Sequence, residues 1–176
     1  QSFVYDIVQD TNGYLWMGTG EGLCRFNGLD FEVFTTDDSL AEDFVNKLHL
    51  DTRGRLWIGH NQGGLSVLEN GHFRSIDTKG AIKSAITSIV EDVDGTIWVG
   101  TLRDGLMTID AHGNAQLFQM AFNKKNVFSM AIYGGQTLLI GSSEGVYQYR
   151  LHGPEDSPEE IGLVVGLPLT KVGSMV

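Results

Sequence analysis

One pattern returns four times at constant spacing: Leu15-Trp16-Met17-Gly18, Leu56-Trp57-Ile58-Gly59, Ile97-Trp98-Val99-Gly100 and Leu138-Leu139-Ile140-Gly141, each 41 residues after the one before. A fixed period near 40 residues marks a repeat architecture, in which a unit too small to bury its own apolar faces stacks on its neighbours. Within each period, four short apolar runs are separated by turn-forming residues at about ten-residue spacing, which predicts a four-stranded antiparallel meander. With the strands named A to D, strand A carries the pairs Val4/Ile7, Val45/Leu48, Ile86/Ile89 and Val127/Met130. Strand B is the recurring segment itself. Strand C begins at Leu23, Leu65, Leu106 and Val146, and strand D includes 31–34, 73–76 and 116–118.

The turns have their own chemistry. Between A and B stand Asp10-Thr11-Asn12-Gly13, Asp51-Thr52-Arg53-Gly54 and Asp92-Val93-Asp94-Gly95. There the Asp side chain can bond a backbone N–H two residues on, and Gly supplies a left-handed conformation. The competing role for Asp10, Asp51 and Asp92, metal ligation, is the weaker reading. Between C and D, Asn27-Gly28 and Asn70-Gly71 are two-residue hairpin signals.

Strand B is apolar on both faces, as expected where a small sheet is sandwiched between two others. Such sheets stacked around an axis form a β-propeller, which leaves only short, protected edges. Trp16, Trp57 and Trp98 are therefore expected to pack between blades. Each would remove roughly 150–250 Å² from water, worth up to about 4–6 kcal/mol. The blades fall at about 1–40, 41–82, 83–123 and 124–166, with a fifth starting at 167–176, where Val172 and Met175 repeat the spacing of Val4 and Ile7. The acidic stretch 152–160, with Pro154 and Pro158, is expected to be an insertion between strands C and D of blade 4.

With 22 acidic against 12 basic residues the net charge is -10, which repels phosphate backbones and makes nucleic acid a poor partner. No apolar run in this sequence is long enough to span a bilayer, and the residues from Gln1 onward do not have the pattern of a targeting segment, which is expected to have been removed. The 23 glycines and 41% hydrophobic content fit a turn-rich folded chain without long helices. Cys24, the single cysteine, excludes an internal disulfide and is expected to be a small buried thiol.

The run Asp-x-x-Gly-x-Leu-Trp-Ile-Gly-Thr followed by Gly-Leu resembles the repeat of the two-component regulator propeller family. It stands here as 10–19 with Gly22-Leu23, 51–60 with Gly64-Leu65, and 92–101 with Gly105-Leu106. The conserved skeleton is Asp10, Gly13, Trp16 and Gly18; Asp51, Gly54, Trp57 and Gly59; Asp92, Gly95, Trp98 and Gly100. The fourth copy keeps Gly141 but has Tyr133-Gly134-Gly135-Gln136 for the turn and Leu139 for the Trp, a degenerate blade. The resemblance implies a partial ring of about seven blades in the periplasmic sensor of an inner-membrane receptor, with a histidine kinase or diguanylate cyclase attached. It also implies a binding role without catalysis in this segment and oligosaccharide as the candidate ligand; a second copy of the chain is a further candidate partner.

Strand directions place the B-to-C and D-to-A loops on one face of the blades and the regular turns on the other. The variable B-to-C loops supply the candidate ligand-binding residues: Glu21; His60, Asn61 and Gln62; Arg103 and Asp104; Ser143 and Glu144. Their amides, carboxylates and guanidinium pair with sugar hydroxyls or a charged group. The D-to-A loops, 35–43 and 77–84, are candidate gates of the same face. His49, His60, His72, His112 and His152 are scattered, so neither a metal nor a cofactor is expected. Two alternatives remain: a polysaccharide lyase or glycosidase using Glu21, His60, Asp104 or Glu144, and a protein-interaction scaffold.

Overall fold

The computed structural model describes residues 3–118 and 126–151 and the backbone of 162–163. It is an all-β partial propeller of four antiparallel sheets, each with its strands in sequence order. Blade 1 comprises β1 (Val4–Gln9), β2 (Leu15–Thr19), β3 (Gly22–Phe26) and β4 (Phe31–Phe34). Blade 2 comprises β5 (Val45–Leu50), β6 (Leu56–His60), β7 (Leu65–Glu69) and β8 (His72–Ser75). Blade 3 follows with β9 (Ile86–Glu91), β10 (Ile97–Thr101), β11 (Leu106–Ile109) and β12 (Ala115–Phe118), and blade 4 with β13 (Val127–Tyr133), β14 (Thr137–Ser142), β15 (Gly145–Arg150) and β16 (Gly162–Leu163). The one helical turn among the described residues is a short 3-10 segment, Thr36–Asp38. The expected insertion 152–160 and fifth-blade start 167–176 lie outside the described residues.

Strand B is apolar on both faces because both faces are covered: every residue of β6 and β10 is buried. Each core cluster mixes two blades. Trp57 packs with Ile89, Val99 and Met107 of the next blade, and Trp16 packs with Leu48 and Ile58. Trp98 meets Met130 and Ile140, and an aromatic trio adds to that seam, with Trp98, Phe118 and Tyr149 centroids 5.1 to 5.8 Å apart. The glycine closing each strand B makes room for this stacking. A Cβ on Gly18, Gly59 or Gly100 would lie 2.8, 2.6 or 2.7 Å from Val45, Ile86 or Val127 of the following blade.

The same repeat positions differ sharply at blade 1. Leu48, Ile89 and Met130 are 5%, 3% and 6% exposed, whereas Ile7 is 58% exposed. Ile7, Met17, Cys24 and Val33 form one cross-strand row, and no described residue of another blade covers it. This corrects the expectation for Cys24, which is half-exposed on that row. The burial it retains pushes its thiol pKa up.

Inner strands β1, β5, β9 and β13 lie side by side and share one irregularity: register slips by a residue at Tyr5, Asn46, Thr87 and Phe128. A bulge re-aims a side chain, and here it ties blades together. Asn46 Nδ2 donates to the Ile86 carbonyl at 2.6 Å and Thr87 Oγ1 to the Val127 carbonyl at 2.6 Å. One residue on, Asp6 accepts the Leu48 N–H at 2.9 Å and Ser88 Oγ accepts the Met130 N–H at 3.0 Å. Lys47 holds the equivalent place in blade 2, has no acceptor to offer, and pairs with Asp6 at 3.0 Å.

The three Asp turns form as the sequence predicts, with Gly13, Gly54 and Gly95 at φ of +88°, +79° and +79°. Asn70-Gly71 is a two-residue hairpin with both residues at positive φ, at 52° and 79°. Asn27-Gly28 is not. Phe26 pairs with Phe31, leaving a four-residue connection in which Asn27 Oδ1 accepts the N–H groups of Leu29 and Asp30, both at 2.8 Å. In blade 3 the C-to-D connection borrows the A-to-B device, since Asp110 Oδ1 accepts the N–H groups of His112 and Asn114 at 2.9 Å each.

Candidate functional site

The B-to-C and D-to-A loops meet on one face, as strand direction requires. Two equivalent backbone bonds join them: Asn61 N–H to the Phe44 carbonyl at 3.2 Å, and Leu102 N–H to the Ala85 carbonyl at 2.8 Å. A carboxylate adds a second tie in each blade, from opposite sides. Around blade 2 it comes from the D-to-A loop, where Glu42 accepts the N–H groups of Gln62 at 2.9 Å and Gly64 at 2.8 Å. Around blade 3 it comes from the B-to-C loop. There Asp104 Oδ2 accepts the Lys83 N–H at 2.8 Å, the Ser84 N–H at 2.8 Å and the Ser84 hydroxyl at 2.7 Å.

Between these tied loops lies a polar cleft of about 510 Å³, lined by Asn61, Gln62, Lys83, Ser84, Ala85, Leu102, Arg103 and Asp104. Four candidate residues thus converge: Asn61 and Gln62 from blade 2, Arg103 and Asp104 from blade 3. The Arg103 backbone is fixed by its N–H to Ser84 Oγ at 3.0 Å, and the next N–H, of Asp104, donates to Thr101 Oγ1 at 2.9 Å. Burial alone would raise the Asp104 pKa; the bonds from Lys83 and Ser84 outweigh it and hold the carboxyl below its usual 3.8.

The other candidates do not line this cleft. His60 is fully buried, its Nε2 2.9 Å from Ser66 Oγ, which also accepts the Ala41 N–H. Burial holds its pKa below the ordinary histidine range, against the opposite pull of the Glu42 charge. His60 is therefore a packing residue, which corrects its place among the ligand candidates. Glu21 lies in the exposed turn of blade 1, its N–H bonded to Thr19 Oγ1 at 3.2 Å. Ser143 and Glu144 lie in the exposed turn of blade 4, where Glu144 accepts the Tyr147 hydroxyl at 3.0 Å. The residues that the candidate set omitted, Lys83 and Ser84, belong to the D-to-A loop already expected to flank this face.

A second groove, of about 480 Å³, runs along the inner strands and includes Asp6, Lys47, His49, Ser88 and Ser129 in its lining. No group of three or more His, Cys, Asp or Glu suited to a metal occurs among the described residues. No helix among them is long and apolar enough to cross a membrane.

The family model for the two component regulator propeller matches residues 1–21 and 80–103. Those two stretches read as two-component regulator propeller repeats. No curated protein matches the sequence. Among solved structures, the chain is similar to the extracellular domain of a protein assigned as a one component system in B. thetaiotaomicron, with 22% identity and a TM-score of 0.72 over 88% of this chain and 21% of that one. It is equally similar to the extracellular domain assigned to a hybrid two component system of the same organism, with 22% identity and a TM-score of 0.72 over 89% of this chain and 25% of that one. The chain therefore spans a quarter or less of those domains. The same blade arrangement occurs in an enzyme, virginiamycin B lyase from Staphylococcus aureus, with 13% identity and a TM-score of 0.68 over 85% of this chain and 53% of that one.

Proposed function

We propose that this chain is a ligand-sensing segment of the extracytoplasmic part of a two-component receptor, and that it binds an oligosaccharide in the cleft between blades 2 and 3. The observation that carries the reading is convergence. Asn61, Gln62, Arg103 and Asp104 belong to loops of two blades, yet they line one cleft with Lys83 and Ser84. Amides and a hydroxyl offer both donors and acceptors to sugar hydroxyls. A site made from two blades also senses their relative position, so occupancy is communicated through the seam to an attached signalling domain.

The placement of the carboxylates supports binding over turnover. Of the enzyme suspects, Glu21 and Glu144 stand on other blades, His60 is enclosed, and Asp104 is held ionised by three donors, which removes it as a proton donor near neutral pH. Titration calorimetry of the chain against a panel of neutral and acidic oligosaccharides tests the proposal. A binding member is expected to weaken about tenfold with Asn61→Ala or Gln62→Ala and to be recovered chemically intact. A cleaved sugar, or binding indifferent to both changes, would overturn it.

A further inference from the structure

We infer that the ligand of the blade 2–3 cleft is an acidic saccharide, one carrying a uronate carboxylate or a sulfate group. This inference rests on reading the cleft as the binding site. It follows from the charge left facing the ligand. The cleft holds two cationic side chains, Lys83 and Arg103, and one carboxylate, Asp104. The carboxylate is already engaged, since its Oδ2 accepts two backbone N–H groups and a hydroxyl. These bonds keep Asp104 ionised, so the lining carries two positive charges against one negative.

With a net charge of -10, acidic groups are abundant, and Arg25, Lys47, Arg55 and Arg74 each pair with one: Glu32, Asp6, Asp51 and Glu69. Five cationic side chains, Arg53, Lys79, Lys83, Arg103 and Arg150, stand outside the ion pairs among the described residues, and of these Lys83 and Arg103 line the cleft. Both of these side chains are exposed. A guanidinium fork accepts a carboxylate or sulfate through two parallel N–H···O bonds, and a lysine adds a mobile point charge. Because two bonds fix the backbone at Arg103 and Asp104, binding has to order the side chain but not the loop that carries it. Asn61 and Gln62 on the opposite wall supply the neutral pairing that sugar hydroxyls need. Densely charged polyanions such as nucleic acids fit poorly, because the acidic remainder of the chain repels them.

Calorimetry with a galacturonate trisaccharide, its carboxyl-reduced neutral counterpart and inorganic sulfate tests the inference. The uronate is expected to bind at least tenfold more tightly than the neutral counterpart, and more weakly as sodium chloride rises. Arg103→Gln and Lys83→Gln are each expected to weaken uronate binding about tenfold more than they weaken binding of the neutral counterpart, with the thermal midpoint unchanged. Equal affinity for the neutral counterpart, unaffected by Arg103→Gln but lowered by Asn61→Ala, would overturn the acidic class and keep the cleft as a sugar site. Sulfate binding as tightly as the uronate would reduce the cleft to a simple anion site, and failure of every saccharide of a wider panel to bind would bring down the reading of the cleft itself.

Discussion

The Asp92 carboxylate receives the Trp98 indole N–H at 2.8 Å, and in doing so joins the turn that opens strand B to the side chain that fills the seam. The same bond is made by Asp10 with Trp16 and by Asp51 with Trp57, each at 2.8 Å. In all three, one carboxylate oxygen closes the turn through two backbone N–H groups while the other takes the indole. A buried Trp needs a partner for its N–H, and the turn provides it. Blade 4 shows the converse, since Tyr133 and Leu139 replace the Asp and the Trp together. Without an indole to satisfy, the second carboxylate oxygen has no role there.

Asp51→Ala is expected to cost more than Asp10→Ala. Asp51 and Arg55 are 4% and 5% exposed and bonded at 2.6 Å, so removing the acid strands a buried guanidinium, at about 3–5 kcal/mol. Tyr14 stands at the Arg55 position in blade 1 and Asp10 is half-buried, so the loss there is the hydrogen bonds alone, about 1–3 kcal/mol. Urea unfolding of both variants measures the difference, and equal losses would show that the Arg55 charge does not matter.

Gly59→Ala is expected to destabilise the seam between blades 2 and 3 by about 1–3 kcal/mol through overpacking, because the new methyl lies 2.6 Å from Ile86 Cγ2 and 2.9 Å from its Cβ. Shortening the obstacle with Ile86→Ala should make the two changes less than additive. A double-mutant cycle by thermal unfolding gives the coupling.

Ile7→Glu and Leu48→Glu fill the same repeat position and should behave oppositely in this chain. Leu48 is 5% exposed within the first seam, whereas Ile7 is 58% exposed. Burying a carboxylate among Trp16, Leu23 and Ile58 leaves a charge without a partner and is expected to unfold the protein. The surface change should shift stability by no more than about 0.5 kcal/mol. Circular dichroism melts distinguish the two.

Acidification is expected to weaken the fold in two stages. Burial depresses the His49 and His60 pKa values below 6.5, so the unfolded chain takes up protons first. Their contribution is complete above that value and declines as pH falls through it toward the folded values. For Asp51, burial acts upward, but the bonds from Trp57 and Arg55 leave its pKa below 3.8. Its contribution is complete above 3.8 and is lost as pH falls through the still lower folded value. His60→Thr installs the residue found at this place in blades 1 and 3 and should flatten the first stage only. Denaturant unfolding between about pH 7 and pH 5 reads the slope, and an unchanged slope would assign that stage to other groups.

The period, the strand order and the Asp turns were legible in the sequence because each is local: a strand, its neighbour and the turn between them lie within one 41-residue unit, and repetition makes the same signal visible several times. Side-chain direction is not local. Whether the acid tying the upper loops comes from Glu42 or from Asp104, whether the ring of His60 turns inward or the guanidinium of Arg103 outward, and which loops of neighbouring blades share a cleft all depend on how one sheet seats on the next. The asymmetry of exposure between Ile7 and Leu48 has the same origin, since identical places in the repeat receive different neighbours. The chain's own letters specify a blade, and the stacking of blades decides which of its polar groups remain available to a ligand.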